Sequence, residues 1–164
     1  MGAGKSTVGT QLAALLGYDF VDLDTYIEHK IGMSIADIFA TQGEETFRAV
    51  EVEALRDVVI MHRLTDTDLV IALGGGTVTT HDALRIVLDE TLCIYLKASF
   101  NTLTDRLKNA TGQRPLASRG EALLKQREIL YSKAPFCIST DELNIEEVTA
   151  KAADIIKREE STND

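Results

Sequence analysis

Soft metal ligands and disulfide partners are scarce in this chain: its 164 residues carry two cysteines and three histidines. Cys93 and Cys137 form no C-x-x-C pair, and His29, His62 and His81 show no metal-ligand spacing. Each cysteine sits in a β-like apolar run, TLCIYLKA or FCIST, and is expected in the core. No apolar run approaches membrane-spanning length. No signal-peptide pattern is visible, so a cytoplasmic, disulfide-free protein is the expectation. An excess of positive charge is lacking too. With 17 basic against 26 acidic residues, the formal charge is −9, which argues against a nucleic-acid or anionic-membrane partner. A small anionic ligand stays open, because a local cluster of Lys, Arg and backbone N–H groups binds phosphate on an acidic protein as well. Repeats, linkers and a second domain are likewise not visible in the composition.

What is present is alternation. STVGTQLAALLG has apolar residues at Val8, Leu12, Leu15 and Leu16, which is helical spacing, and Gly17 stops it. YDFVDLD reads as a short strand ending in two acidic residues. TYIEHKI, closed by Gly32, and SIADIFATQ, capped by Ser34, read as helices. EETFRAVEVEALRDVVIMHR carries an apolar stripe through Phe47, Val50, Leu55, Val58 and Val59. LVIAL is an uninterrupted apolar run, expected to be a strand buried on both faces. Then HDALRIVLDE reads as a helix, TLCIYLKA as a strand, and FNTLTDRLKN as a helix capped by Ser99. ATGQRPLASRGE reads as a mobile loop, ALLKQREILYSK as a helix and FCIST as a strand. Asn144 and Glu147 form a capping box for a last helix, and the tail REESTND is expected to fray. Strands alternating with helices predict an α/β fold: a parallel sheet with helices on both faces.

Four constellations carry chemistry. GAGKST, Gly2 to Thr7, is the second half of the phosphate-binding pattern G-x-x-x-x-G-K-[ST]. Its glycines turn backbone N–H groups toward phosphate, and the helix behind adds its positive end. Lys5 would reach the β- and γ-phosphates and Ser6 would place a hydroxyl on Mg²⁺. A glycine-rich turn before a capped helix is the bland alternative. Asp22 and Asp24 close the second strand; two apart on a strand, both point to one site, one toward Mg²⁺ and one toward the proton of an attacking hydroxyl. Capping of the next helix is the alternative there. LGGGTV, Leu73 to Val78, lets a ligand approach bare backbone, or else packs tightly. Arg48, Arg114 and Arg127 are scattered cations that solvent alone would explain.

Together these residues resemble the shikimate kinases. GAGKST, VDLD, SIADIFATQGEETFR, LGGGTV, RPL and R-x-x-L-Y occur in that family's order, over nearly the whole chain. The resemblance implies a P-loop NTPase-like three-layer sandwich that moves the γ-phosphoryl group of ATP to the 3-hydroxyl of shikimate, with Mg²⁺. It implies an ATP site at Gly2, Ala3, Gly4, Lys5, Ser6, Thr7, Arg106 and Arg114, with Arg106 stacking on adenine. It implies a shikimate site at Asp24, Phe39, Phe47, Arg48, Gly74, Gly75, Gly76 and Arg127, with Arg48 and Arg127 holding the carboxylate and Glu51 orienting Arg48. Lys5, Asp24 and Arg114 are the implied catalytic set, and Ser6 and Asp22 the implied metal side. The expected organisation is a single kinase domain over 1–164, with an acceptor-binding segment at about 25–52 and a lid at about 110–120. ATP and shikimate are the expected partners of a monomer. Arg114 and Arg127 stand closer together than the family leads one to expect, so the lid should be compact. Asp141 to Asn144 match the adenine loop poorly, and no binding residue is carried over from them.

Two other functions remain open: another P-loop small-molecule kinase, of a carbohydrate or nucleoside monophosphate, or a nucleotide-binding module with impaired catalysis. The last follows from the start of the chain. In this fold a strand precedes the loop and lies mid-sheet, between LVIAL and TLCIYLKA. The sequence is therefore expected to lack about ten residues, a short apolar strand plus a glycine. The structure should then show an empty slot between those two strands, or a sheet closed up in an unusual order.

Overall fold

Helix ends in this protein are set by glycines and hydroxyl caps. The computed structural model describes residues 2–111 and 117–163, with side chains at 2–109 and 120–162. The chain groups into two compact units, Ala13–Thr91 and Met1–Leu12 with Leu92–Asp164. Helix α1, Lys5–Leu16, runs from the second unit into the first and stops at Gly17, whose φ of 75° only glycine adopts without strain.

In the unit Ala13–Thr91, strand β1 (Asp19–Asp22) pairs in parallel with β2 (Leu69–Ala72), with Asp22 opposite Ala72. Helix α2 (Leu23–Ile31) follows β1 without a loop, because the Asp22 side chain caps it by accepting from the Thr25 amide. The strand thus ends one residue before Leu23, and Asp24 lies in the first turn of α2 rather than on the strand. The alternation argument that aimed Asp22 and Asp24 the same way therefore does not hold. Helix α3 (Ile35–His62) begins at the Ser34 cap expected from sequence and contains one break, at Gly43 with φ 83° and ψ 171°. The two helices read from sequence are present, joined by this single residue. After β2 the chain makes a short 3₁₀ turn at Thr77–Thr79 and enters α4 (His81–Glu90), with the bounds its sequence indicates. Leu23, Ile27, Ile38, Leu55, Val58 and Ile86 form the core of this unit. Leu69, Val70 and Ile71 stay half-exposed, not enclosed on both faces as expected, since a two-stranded ladder covers little.

In the other unit, β3 (Ile94–Lys97) pairs in parallel with β4 (Phe136–Ser139). Helix α5 (Phe100–Thr111) starts at Ser99, whose hydroxyl accepts from the Thr102 amide. Helix α6 (Ala117–Tyr131) begins earlier than read and α5 ends later, so Ala110, Thr111 and Ala117 to Glu121 are helical and not loop. The final helix α7 (Ile145–Asn163) has both hydrogen bonds of its Asn144–Glu147 capping box, at 2.8 and 2.9 Å. It continues through the tail expected to fray. Val8, Leu12, Ile138, Val148 and Ala152 are among the buried residues here. The cysteines correct the sequence reading. Cys137 is exposed, because β4 alternates and turns Ile138 inward; Cys93 is only half-buried, just before β3.

Candidate functional site

Beyond the break at Gly43, Glu44, Arg48 and Glu51 share one face of α3 through their four- and three-residue spacing. Arg48 Nη1 donates to Glu51 Oε2 at 2.6 Å, and Nη2 donates to Glu44 Oε1 at 3.3 Å. The guanidinium carbon lies 5.2 Å from the Phe47 ring centre and 5.9 Å from that of Phe39, and the two rings pack at 4.6 Å. This cation–π seat holds the side chain in one plane. Its Nε–H is buried and has no hydrogen-bond partner, a donor aimed at nothing the protein supplies.

The glycine run after β2 meets this group directly. A Cβ added at Gly76 would overlap the Arg48 guanidinium, coming within 2.7 Å of Cζ. One added at Gly74 would come within 2.8 Å of Asp24 Oδ1 and 3.3 Å of Glu51 Oε1. Bare backbone is required at both places, because the chain's own side chains pack against it there. The structure thus brings Asp24, Phe39, Phe47, Arg48, Gly74 and Gly76 together, with Gly75 between the two glycines. Sequence reasoning gave Thr77 no part in the site. It is fully buried, and its hydroxyl donates to Glu51 Oε1 at 2.6 Å, 3.1 Å from the Gly74 carbonyl. Glu51 itself is 1% exposed, so a carboxylate sits in the core with both oxygens engaged. Only its spacing from Arg48 hinted at that.

In the other unit, Gly2 and Gly4 hold φ of 75° and 81°, and Ala3, Lys5, Ser6 and Thr7 follow the turn into α1. Backbone N–H groups at such a glycine-rich turn and helix start form an anion cradle. Gly2 sits on α5, where an added Cβ would come within 3.1 Å of the Leu103 carbonyl oxygen. Arg106, on the same helix, donates through Nη1 to Thr140 Oγ1 at 3.1 Å and through Nη2 to the Thr140 carbonyl at 2.7 Å. Arg127 on α6 has a buried Nε without a partner, as Arg48 does. Its neighbours Glu128 and Tyr131 engage β3, through Lys97 at 2.6 Å and the Tyr95 ring at 5.2 Å. Burial, with Glu128 close by, pushes the Tyr95 hydroxyl up to about 12. The segment Asp141 to Leu143, assigned nothing from sequence, lines a pocket of about 410 Å³ with Ser139 and Lys151. Arg114 and most of the expected lid lie outside the described residues.

Among the described residues no group of three His, Cys, Asp or Glu could hold a metal ion. Ser6 and Asp22 offer a hydroxyl and a carboxylate, hard oxygen donors of the kind Mg²⁺ takes alongside phosphate oxygens and water.

Comparison with known proteins gives one family. A sequence model of the family described as "Shikimate kinase" matches residues 1–157. A shikimate kinase of Chlorobium limicola is 41% identical over 154 residues, covering 85% of this chain and 74% of its own. One of Thermus thermophilus is 38% identical over 164 residues, covering 96% of this chain and 86% of its own. The structure of a shikimate kinase from Acinetobacter baumannii in complex with shikimate superposes with a TM-score of 0.83 at 31% identity, covering 97% of this chain and 89% of that one.

Proposed function

Because this chain belongs to the shikimate kinase family, with its α/β P-loop kinase fold, we propose that it transfers the γ-phosphoryl group of ATP to the 3-hydroxyl of shikimate, in the pathway to the aromatic amino acids. The observation that carries the reading is the Arg48 seat. A guanidinium is clamped by Glu51, Glu44 and two phenylalanine rings, pressed on bare backbone at Gly76, with a buried Nε–H left over. A planar carboxylate is the group that takes such a donor.

In this reading Arg48 and Arg127 each offer an unpaired buried Nε–H to the acceptor's carboxylate, and Phe39, Phe47 and the Gly74–Gly76 backbone border its ring. Asp24, held against Gly74, takes the proton of the 3-hydroxyl as its oxygen bonds to the γ-phosphorus and the bond to the ADP oxygen breaks. Gly2 to Thr7 cradle the phosphates, and Lys5 and Arg114 offset charge on the transferring group. Thr140 fixes the plane of Arg106, which suits that guanidinium to stacking on adenine. Ser6 and Asp22 would hold Mg²⁺, whose chemistry when bound is to neutralise charge on the β- and γ-oxygens. The segment 110–120 would serve as a lid over a single kinase domain. A cytoplasmic monomer completes the reading, without nucleic-acid or membrane partners; no helix among the described residues is long and apolar enough to cross a membrane.

The test is a coupled assay of ADP release with ATP and Mg²⁺. Release should depend on shikimate. Equal turnover without it, or with a nucleoside monophosphate in its place, overturns the proposal.

A further inference from the structure

Arg48 can present its free Nε–H in one direction only if Glu51 is itself held. Glu51 is 1% exposed, and a carboxylate at that depth stays in place only if both oxygens are satisfied. Oε2 accepts from Arg48 Nη1, and Oε1 accepts from the Thr77 hydroxyl, each at 2.6 Å. The hydroxyl has one proton and two acceptors within reach, Glu51 Oε1 and the Gly74 carbonyl at 3.1 Å. The shorter, charge-assisted bond takes the proton. Thr77 is the first residue after the glycine run and is fully buried. One side chain therefore ties the glycine backbone to α3, and through Glu51 it sets the plane of Arg48.

We infer that Thr77 is a positioning residue for the acceptor: through Glu51 it orients Arg48 toward the substrate carboxylate and holds the Gly74–Gly76 backbone against it. This rests on the acceptor-kinase reading of the same site. Removing the hydroxyl leaves a buried carboxylate oxygen with one donor fewer. The carboxylate is then free to twist about its Oε2 bond, and the guanidinium turns with it. Nothing in the chain from Thr77 to Arg48 involves the phosphate loop, so the effect should fall on one substrate.

Thr77→Val replaces the hydroxyl by a methyl of nearly the same volume, and Thr77→Ser keeps the donor. In Thr77→Val the KM for shikimate should rise about tenfold, the effect of losing one hydrogen bond to a charged group, with the KM for ATP unchanged. The Arg48 Nε–H resonance, read by NMR in arginine-labelled protein without ligands, should move, and Thr77→Ser should recover both readouts. Should Thr77→Val fail to fold, Thr77→Ala serves for the same comparison. An unchanged shikimate KM with an unmoved Arg48 resonance overturns the inference, as does an equal rise in both KM values. If the unaltered protein shows no shikimate-dependent turnover, the proposed function fails, and the resonance alone decides whether Thr77 positions Arg48.

Discussion

At the scale of single residues, the acceptor side is organised by what is absent: a Cβ at Gly76. The Arg48 guanidinium occupies that space, and an added methyl would overlap it, within 2.7 Å of Cζ. Backbone on one side and packed rings on the other leave neither partner room to yield. Gly76→Ala should therefore unseat Arg48 and raise the shikimate KM by about tenfold or more, while leaving the ATP KM near its original value. Steady-state kinetics with each substrate varied in turn decides it; an equal loss for both substrates would mean collapse of the unit instead. The residue types of this site were readable in the chain: an arginine next to a phenylalanine, three glycines after an apolar run. Their convergence was not. The bond from Thr77 to Glu51 joins positions 26 apart in sequence, and no local pattern encodes it.

At the scale of elements, caps and periodicity were legible and the joins between elements were not. His81–Glu90, the Ser34 and Ser99 caps and the Asn144–Glu147 box follow from local chemistry that the structure repeats. Asp24 was misplaced because Asp22, a good strand end, is an equally good helix cap, so α2 starts two residues sooner than its apolar pattern. Cys137 was misread because a short apolar run does not reveal which face of the strand is inward. Two elements carry predictions. Gly43 breaks α3 at φ 83° and ψ 171°, a region essentially closed to other residues. Gly43→Ala should cost about 1–3 kcal/mol of stability, measured by urea unfolding. It should also raise the shikimate KM, since Phe39 and Arg48 lie on opposite sides of the break; an unaltered stability would show that the break tolerates a Cβ.

The second element is α5, anchored at its start by Asp141. The Ser99 amide donates to the Asp141 carboxylate at 2.8 Å; this bond, then Thr102, holds the group below its ordinary 3.8. A carboxyl lowered in the folded state stabilises the fold above its ordinary value and loses that contribution as pH falls through the lowered one. Stability against urea should thus decline as pH drops below 3.8, and Asp141→Asn should remove part of that slope. An identical pH profile in the two proteins would assign the decline to other carboxylates.

At the scale of the whole molecule, the formal charge of −9 works against both substrates, which are anions. In the proposed reaction positive charge would have to be concentrated where phosphate is transferred, from Lys5, from arginines and from Mg²⁺. The fold makes no such demand. Among the described residues no cluster of three His, Cys, Asp or Glu exists to bind a structural ion, and the cores are built mainly from aliphatic side chains. Chelation should then separate activity from stability. EDTA should abolish turnover, Mg²⁺ should restore it, and the melting temperature of the protein without nucleotide should not move. Asp22→Asn sharpens the distinction. Asparagine caps a helix about as well as aspartate, so α2 should survive the change, while the loss of the negative charge should raise the Mg²⁺ concentration needed for half-maximal rate. A melting temperature that falls on chelation would reveal a structural metal. An unchanged Mg²⁺ requirement in a stably folded Asp22→Asn protein would leave Asp22 as a helix cap and nothing more.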